Sequence, residues 1–79
     1  MAAPELFHAL SEPESAAARR LVVALGLEDA VTFRNVAFES HRAALAAAGG
    51  ARTPALVAGG RLHEGLDAIR AVLAQLARR

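Results

Sequence analysis

The absence of cysteine is the feature that most limits how this chain can fold. Neither a disulfide nor a thiolate-bound metal can hold the structure together, so side-chain packing must do so. The chain has 79 residues, near the size at which one hydrophobic core is just sufficient. We therefore expect a single domain, residues 1–79. The absence also excludes thiol–disulfide chemistry by the protein's own side chains.

Charge and hydropathy argue against two classes of partner. The chain is 54% hydrophobic and 22% charged, with a formal net charge of +1. It contains no lysine, and its arginines do not form the cluster that a nucleic-acid footprint requires. There is no apolar run of the length needed to span a membrane, and no basic segment precedes an apolar stretch at the N-terminus. We expect a cytoplasmic domain that binds neither nucleic acid nor membrane.

The N-terminal third has the pattern of a strand followed by a helix. Residues 5–10 (ELFHAL) form a short apolar run that predicts a buried strand. Ser11 is placed to cap the helix that follows, with Glu14 three residues later, as in a capping box. Pro13 falls in the first turn, where a missing N–H costs nothing. Gly26 is predicted to end this helix in the left-handed conformation.

The middle of the chain predicts a second strand and a short helix. Residues 31–35 are β-branched and aromatic, which is typical of a strand. The alternation of apolar residues then slips, so Val36 and Phe38 are expected to pack in the connection. Residues 39–48 are rich in alanine and predict a helix that ends at Gly49-Gly50.

The last third predicts a hairpin and a helix. Residues 53–58 begin with Thr-Pro and read as a strand, since proline is tolerated at a strand's first residue. Gly59-Gly60 predicts a two-residue hairpin, residues 61–63 a short return strand, and residues 66–77 a helix. The order is β-α-β-α-β-β-α, and the first two strands should be parallel. The fold class expected is α/β, a four-stranded mixed sheet with helices on both faces.

This order, with motifs at matching spacing, resembles the glutaredoxin type of the thioredoxin fold. Where that family has C-P-Y-C before its first helix, this chain has Glu12-Pro13-Glu14-Ser15. The family's T-V-P is similar to Arg52-Thr53-Pro54, its N-G hairpin to Gly59-Gly60, and its G-G-x-D-D to residues 64–68 (EGLDA). The resemblance implies a thioredoxin-like fold with a cis Pro54. A ferredoxin-like sandwich is the alternative fold, and a trans proline that starts an edge strand is the alternative for Pro54.

The resemblance also implies a ligand groove. Glu12 stands where the family has its nucleophilic cysteine, so it should weaken the binding of ionised glutathione; Ser15 matches the second cysteine. Arg42 and Arg52 are candidates for binding a carboxylate. The alternative for Ser15 is helix capping, and for Asp67 it is a first-turn acid that complements the helix dipole. The candidate ligand-binding residues are Glu12, Pro13, Ser15, Arg52, Thr53, Pro54, Gly65, Leu66 and Asp67.

Two functions of different classes follow from this reading. The first is a redox-inactive binding domain that takes a peptide, a glutathione-like ligand or a protein partner in the groove beside a cis-proline. The alternative is a glutathione-dependent enzyme, similar to the N-terminal domain of a glutathione transferase, that uses Ser15 or Glu12. No resident cofactor is expected, although glutathione is a candidate ligand. The three histidines lack metal-ligand spacing, so no metal site is expected either.

A homodimer is a further expectation. The predicted middle helix has Leu45 as its only large apolar residue and would cover the sheet thinly. An apolar patch left open in this way is often covered by a partner. Light scattering at micromolar concentration should then give a mass above that of the monomer, and a monomer mass would contradict the expectation.

Overall fold

The computed structural model describes residues 2–78, which form four strands and three helices in the predicted order. The second to seventh elements begin and end within two residues of the predicted limits. The first strand begins at the predicted residue and ends two residues earlier than predicted. The elements are β1 (Glu5–His8), α1 (Pro13–Ala24), β2 (Thr32–Asn35), α2 (Glu39–Ala47), β3 (Ala55–Ala58), β4 (Arg61–Glu64) and α3 (Leu66–Ala77).

The four strands form one mixed sheet in the order β2-β1-β3-β4. β1 and β2 are parallel, which confirms the β-α-β prediction for the first half of the chain. β3 is antiparallel to both β1 and β4. Leu6 of β1 lies at the centre, beside Phe33 of β2 and Leu56 of β3. The sheet therefore has two open edges, β2 and β4.

Helices cover both faces of the sheet, as predicted. Leu6 and Phe7 are neighbours in β1, so their side chains point to opposite faces. The face with Leu6 packs against α1 and α3, whereas the face with Phe7 packs against Leu45 of α2 and Ala55. The larger core therefore lies under α1 and α3. Its buried residues are Leu6, Ala18, Val22, Val31, Leu56, Ile69 and Leu73.

The predicted cap of α1 was wrong. The N-cap is Glu12 rather than Ser11, and its side chain makes no capping hydrogen bond. Pro13 occupies the first helical position, where its fixed φ and missing N–H place the helix start after Glu12. Glu14 does not complete a capping box, because its carboxylate accepts a hydrogen bond from the backbone N–H of Leu66.

The connection between β2 and α2 was predicted correctly for one residue and wrongly for another. Val36 is half-buried and packs against the core on the Phe7 face. Phe38 was also expected to pack in the connection but is 60% exposed. It is the N-cap residue of α2, and its ring meets that of His41 edge to face, with centroids 5.6 Å apart. Phe38 packs on its own helix instead of the sheet.

Two predictions for the last third of the chain are confirmed. The Thr53–Pro54 peptide bond is cis. Gly59 and Gly60 have φ of 57° and 76°, and the hairpin pairs Ala58 with Arg61. Positive φ at both central residues is what a tight two-residue hairpin favours. None of the helices in residues 2–78 has both the length and the apolar character needed to cross a bilayer.

Candidate functional site

The start of α1 is tied to the loop before β3 through one carboxylate oxygen. Oε1 of Glu12 accepts hydrogen bonds from the Ser15 hydroxyl at 2.7 Å and from the Thr53 hydroxyl at 2.6 Å. The Ser15 oxygen in turn accepts the backbone N–H of Ala9 at 3.1 Å. Glu12 and Thr53 are 41 positions apart in sequence. The structure therefore brings together two of the segments that the resemblance assigned to one groove.

Glu12 is a fixed negative charge in this site. The hydrogen bond from Thr53, and then that from Ser15, hold the pKa of the Glu12 carboxyl below its ordinary value of 4.5, and partial burial opposes them. A carboxylate that accepts hydrogen bonds is stabilised in its charged form. The side chain is therefore ionised at neutral pH. A ligand group that faces Glu12 should be neutral or a hydrogen-bond donor.

Ser15 lies beneath the site. Its side chain has no exposed surface, and its hydroxyl donates to Glu12 while accepting from Ala9. A ligand cannot reach this hydroxyl in the observed arrangement. Ser15 therefore holds the Glu12 carboxylate in position from below.

A cavity on one side of Thr53 carries two arginines. It has a volume of about 380 Å³, its apolar lining comes from Val36, Leu45 and Ala51, and the Glu12 carboxylate also lines it. Arg42 of α2 and Arg52 both line it, and neither forms a salt bridge within residues 2–78. We call this space the arginine cavity. Guanidinium groups bind carboxylates with paired hydrogen bonds, and two of them stand here against the single carboxylate of Glu12, so the cavity favours a ligand carboxylate bound at Arg42 and Arg52.

A second cavity, beyond Arg52, carries carboxylates. Its volume is about 440 Å³, and Glu14, Glu64 and Asp67 line it together with Arg52. We call it the carboxylate cavity. Asp67 is fully exposed, with Oδ1 3.7 Å from Nη1 of Arg70, a pair that contributes little at the surface. With three acids and one arginine, this cavity favours a cationic group.

The start of α3 is occupied by a carboxylate of the chain itself, that of Glu14. Its Oε1 accepts the backbone N–H of Leu66, the first residue of α3, at 2.8 Å. The free N–H groups at the start of a helix attract anions, and in α3 the Glu14 carboxylate is that anion. Sequence reasoning missed this contact because the two residues are 52 positions apart.

Gly65 allows the start of α3 to approach Arg52. Its φ of 89° lies in the left-handed region, and an added Cβ would lie 3.1 Å from Nη2 of Arg52. Its N–H donates to the carbonyl of Pro54 at 3.0 Å. Pro54 itself is fully buried, so it positions its neighbours and offers no side-chain surface to a ligand. The predicted residues Gly65 and Pro54 thus shape the groove from behind.

In the arginine cavity, next to Arg52, which lines both cavities, the backbone of Thr53 is unpaired. Neither its N–H nor its C=O has a hydrogen-bond partner within residues 2–78. Thr53 lies just before β3, outside the sheet ladder. An extended chain laid across this point gains two backbone hydrogen bonds, as in strand addition. We refer to the two cavities and Thr53 together as the groove.

Most of the predicted site residues border this groove, and two acids were not among them. Pro13 is exposed at the first turn of α1, and Leu66 is half-buried at the start of α3. Glu14 and Glu64 were not predicted; the Glu64 carboxylate also accepts the backbone N–H of Ala51 at 3.1 Å. Within residues 2–78 no three potential ligand side chains are grouped to hold a metal ion.

The chain was compared with protein-family models, curated proteins and solved structures, and none of them matches it. Its function therefore has to be inferred from the groove itself.

Proposed function

We propose that this chain is a glutaredoxin-like domain without redox activity that binds a short peptide-like ligand in the groove beside Thr53 and Pro54. The mixed sheet with three helices is compatible with a thioredoxin-like fold. The proposal rests chiefly on one observation, the unpaired Thr53 backbone next to Arg52, where a cavity with an excess of arginines meets a cavity with an excess of carboxylates.

The backbone at Thr53 supports an extended ligand. A peptide in the extended conformation offers one N–H and one C=O to the same side, which complements the unpaired groups of Thr53. These bonds do not depend on the ligand's side chains. Recognition then has to come from the groups at the two ends of the ligand.

The charges of the groove support a ligand with two unlike ends. Arg42 and Arg52 on one side suit a carboxylate, and the acids Glu14, Glu64 and Asp67 on the other suit an ammonium. A short peptide with free termini has both groups. We infer that its C-terminal carboxylate lies in the arginine cavity and its N-terminal ammonium in the carboxylate cavity.

Glutathione fits this groove less well than an ordinary tripeptide. Its γ-glutamyl end carries a carboxylate beside the ammonium, and that carboxylate would meet Glu14. Its thiol would lie near the ionised Glu12 if it pairs with Thr53. Both effects disfavour anionic groups at these points, so glutathione should bind more weakly than a tripeptide without the extra carboxylate.

The enzymatic alternative has less support in the geometry. Ser15 would have to reach a ligand thiolate, but it has no exposed surface and its hydroxyl already has two partners. Glu12 is exposed enough to touch a ligand, yet its charged form is stabilised, which disfavours a role as a proton donor near neutral pH.

An amide-resolved NMR titration with three tripeptides tests the proposal. The probes are triglycine with free termini, its C-terminal amide and its N-acetyl derivative. Free triglycine should shift the amides of Glu12, Arg52, Thr53 and Gly65–Asp67, with a dissociation constant in the millimolar range. Each blocked form should bind several-fold more weakly, because it lacks one of the two charged ends.

Two results would contradict the proposal. One is equal affinity for all three tripeptides, which would mean that the charged cavities do not read the ligand's ends. The other is a titration to about 20 mM ligand that gives no shifts, or that gives shifts only in residues outside the groove. Glu28→Gln, which changes an exposed acid in the loop between α1 and β2, provides a control and should leave the affinities unchanged.

A further inference from the structure

A second surface with the character of a binding site lies on the far edge of the sheet, between α1 and β2. A shallow cavity of about 620 Å³ is lined there by Arg19, Arg20, Val23, Ala24 and Phe33. Val23 is 55% exposed and Phe33 38% exposed. Two large apolar side chains are thus open to solvent side by side, bordered by two arginines. We call this the β2-edge surface.

The backbone of β2 is available for pairing along this surface. β2 is an edge strand, with β1 on its inner side only. The N–H of Thr32 donates to the carbonyl of Pro4, and that of Val36 to the carbonyl of His8. Because these groups alternate in direction along a strand, the N–H and C=O of Phe33 point away from β1. An unpaired edge of this kind is a template for an added strand.

The charge of the β2-edge surface selects the partner. The guanidinium of Arg19 lies 3.0 Å from Nδ1 of His8 and 3.4 Å from the carbonyl of Ala9, and no carboxylate of residues 2–78 lies within 4 Å of it. Arg20 is exposed and forms no salt bridge within residues 2–78. The surface is therefore apolar with a positive border, and an acidic partner complements it.

A second copy of this chain complements the surface poorly. Pairing of two β2 edges would place the arginines of both α1 helices on the same face. The only acid in α1 is Glu14, which is at the other end of the helix and is bound to Leu66. Such a dimer would bring like charges together with no acid of α1 to offset them.

We propose that the β2-edge surface binds an extended segment of another protein that adds a fifth strand beside β2. The segment carries an apolar residue and an acidic residue two positions apart, so that both side chains face α1. The apolar side chain packs on Phe33 and Val23, and the acid pairs with Arg20. Its backbone bonds to the outward N–H and C=O of Phe33. This site is separate from the groove beside Thr53 and does not depend on its function.

A pair of blocked peptides tests this inference by NMR titration of the full chain. The probes have the sequences TITETIT and TITKTIT, both N-acetylated and C-amidated, so that they differ at one residue and in the sign of its charge. The acidic peptide should shift the amides of residues 32–35 and 19–24. It should bind about threefold to fivefold more tightly than the basic peptide, the range that one exposed ion pair provides.

Charge reversal provides the decisive control. Arg20→Glu, at an exposed position, should reverse the preference, so that the basic peptide binds more tightly than the acidic one. Arg61→Glu changes an exposed arginine on the opposite edge strand, β4, and should leave the preference as it is. Phe33→Thr should lower the affinity for both peptides, and the acidic peptide should still bind more tightly than the basic one.

The inference would be overturned by equal binding of the two peptides, by shifts centred on β4, or by no shifts at millimolar peptide. A preference that Arg61→Glu reverses and Arg20→Glu does not would overturn it as well.

Discussion

Glu12 and Glu14 are two positions apart at the start of α1, yet their carboxylates bind to different parts of the chain. Glu12 accepts the hydroxyl of Thr53, before β3, and Glu14 accepts the N–H of Leu66, at the start of α3. Residues at this spacing point in different directions on a helix. One turn of helix therefore places one carboxylate in the arginine cavity and another at the start of α3.

The first prediction concerns Glu14. Glu14→Gln should raise the affinity for reduced glutathione about twofold to fivefold, because it removes a like charge facing the γ-glutamyl carboxylate. It should lower the affinity for triglycine, whose ammonium loses an acidic neighbour. Both affinities can be measured by NMR titration, with Glu28→Gln as the control. An unchanged or lower affinity for glutathione would show that Glu14 does not exclude it.

The second prediction concerns His8, which is buried in β1. Burial, then the nearby Arg19 cation and then His41, hold the pKa of His8 below its ordinary value of 6.5. The unfolded chain therefore takes up this proton at a higher pH than the folded protein. The free energy of unfolding should fall as pH drops below 6.5 and level off once the folded protein is also protonated.

Urea unfolding between pH 8 and pH 5 measures this effect. His8→Gln, which keeps a hydrogen-bond acceptor for Arg19, should flatten the dependence, while His63→Gln should retain it. Glu12 affects the free energy of unfolding only at lower pH, because the stabilisation from its carboxylate is lost as pH drops below 4.5. A profile in which His8→Gln keeps the wild-type slope between pH 6.5 and pH 5 would contradict the assignment to His8.

At the residue scale, the sequence indicated which positions border the groove. It was less successful in indicating which groups those residues contact. The resemblance indicated Glu12, Thr53 and Gly65, and all three border the groove. The local capping pattern assigned Glu14 to Ser11, whereas the actual partner is an N–H of another helix. The same glutamate can complete a capping box in its own helix or bind a distant part of the chain. Spacing in the sequence indicates only the capping box.

At the scale of the elements, α2 is the most weakly attached helix. Leu45 is its only buried residue, whereas α1 and α3 together contribute four residues to the larger core. Gly50 lies against the side chain of Leu45, where an added Cβ would overlap it. The attachment of α2, which carries Arg42 of the arginine cavity, thus depends on one leucine and the close approach of one glycine.

The third prediction follows from this attachment. Leu45→Ala should lower the free energy of unfolding by about 2–5 kcal/mol, the range for truncating a buried leucine. Native-state hydrogen exchange should show the amides of α2 losing protection before those of α1 and α3. Val23→Ala, at an exposed position, should cost much less. Equal costs for the two variants would show that Leu45 does not hold α2 in place.

The periodicity of apolar residues predicted the elements well, because each element buries one face. The pattern was less informative where a strand lies at an edge. Val31 is buried, as its position in the pattern predicts, but Phe33 is partly exposed because no strand of residues 2–78 lies beyond β2. Sequence alternation shows which face a side chain takes and does not show whether a neighbour covers it.

At the scale of the whole molecule, the fold carries two open surfaces that have no lining residue in common. The groove lies where the starts of α1 and α3 meet the loop before β3, and the β2-edge surface lies at the sheet's outer edge. The element order was predictable from the sequence; the pairing of Glu12 with Thr53 depended on the resemblance. The homodimer stays a prediction, and light scattering remains its test.

The orientation of a tripeptide in the groove tests the central claim most directly. Isotope-filtered nuclear Overhauser spectra should be recorded on the unlabelled full chain with triglycine carrying carbon-13 in either its first or its last residue. The last glycine is expected to give contacts to the methyl groups of Val36 and Leu45, and the first glycine to the side chain of Leu66. Contacts in the reverse order, or contacts only with residues outside the groove, would contradict the assignment of the arginine cavity to the ligand's carboxylate and of the carboxylate cavity to its ammonium.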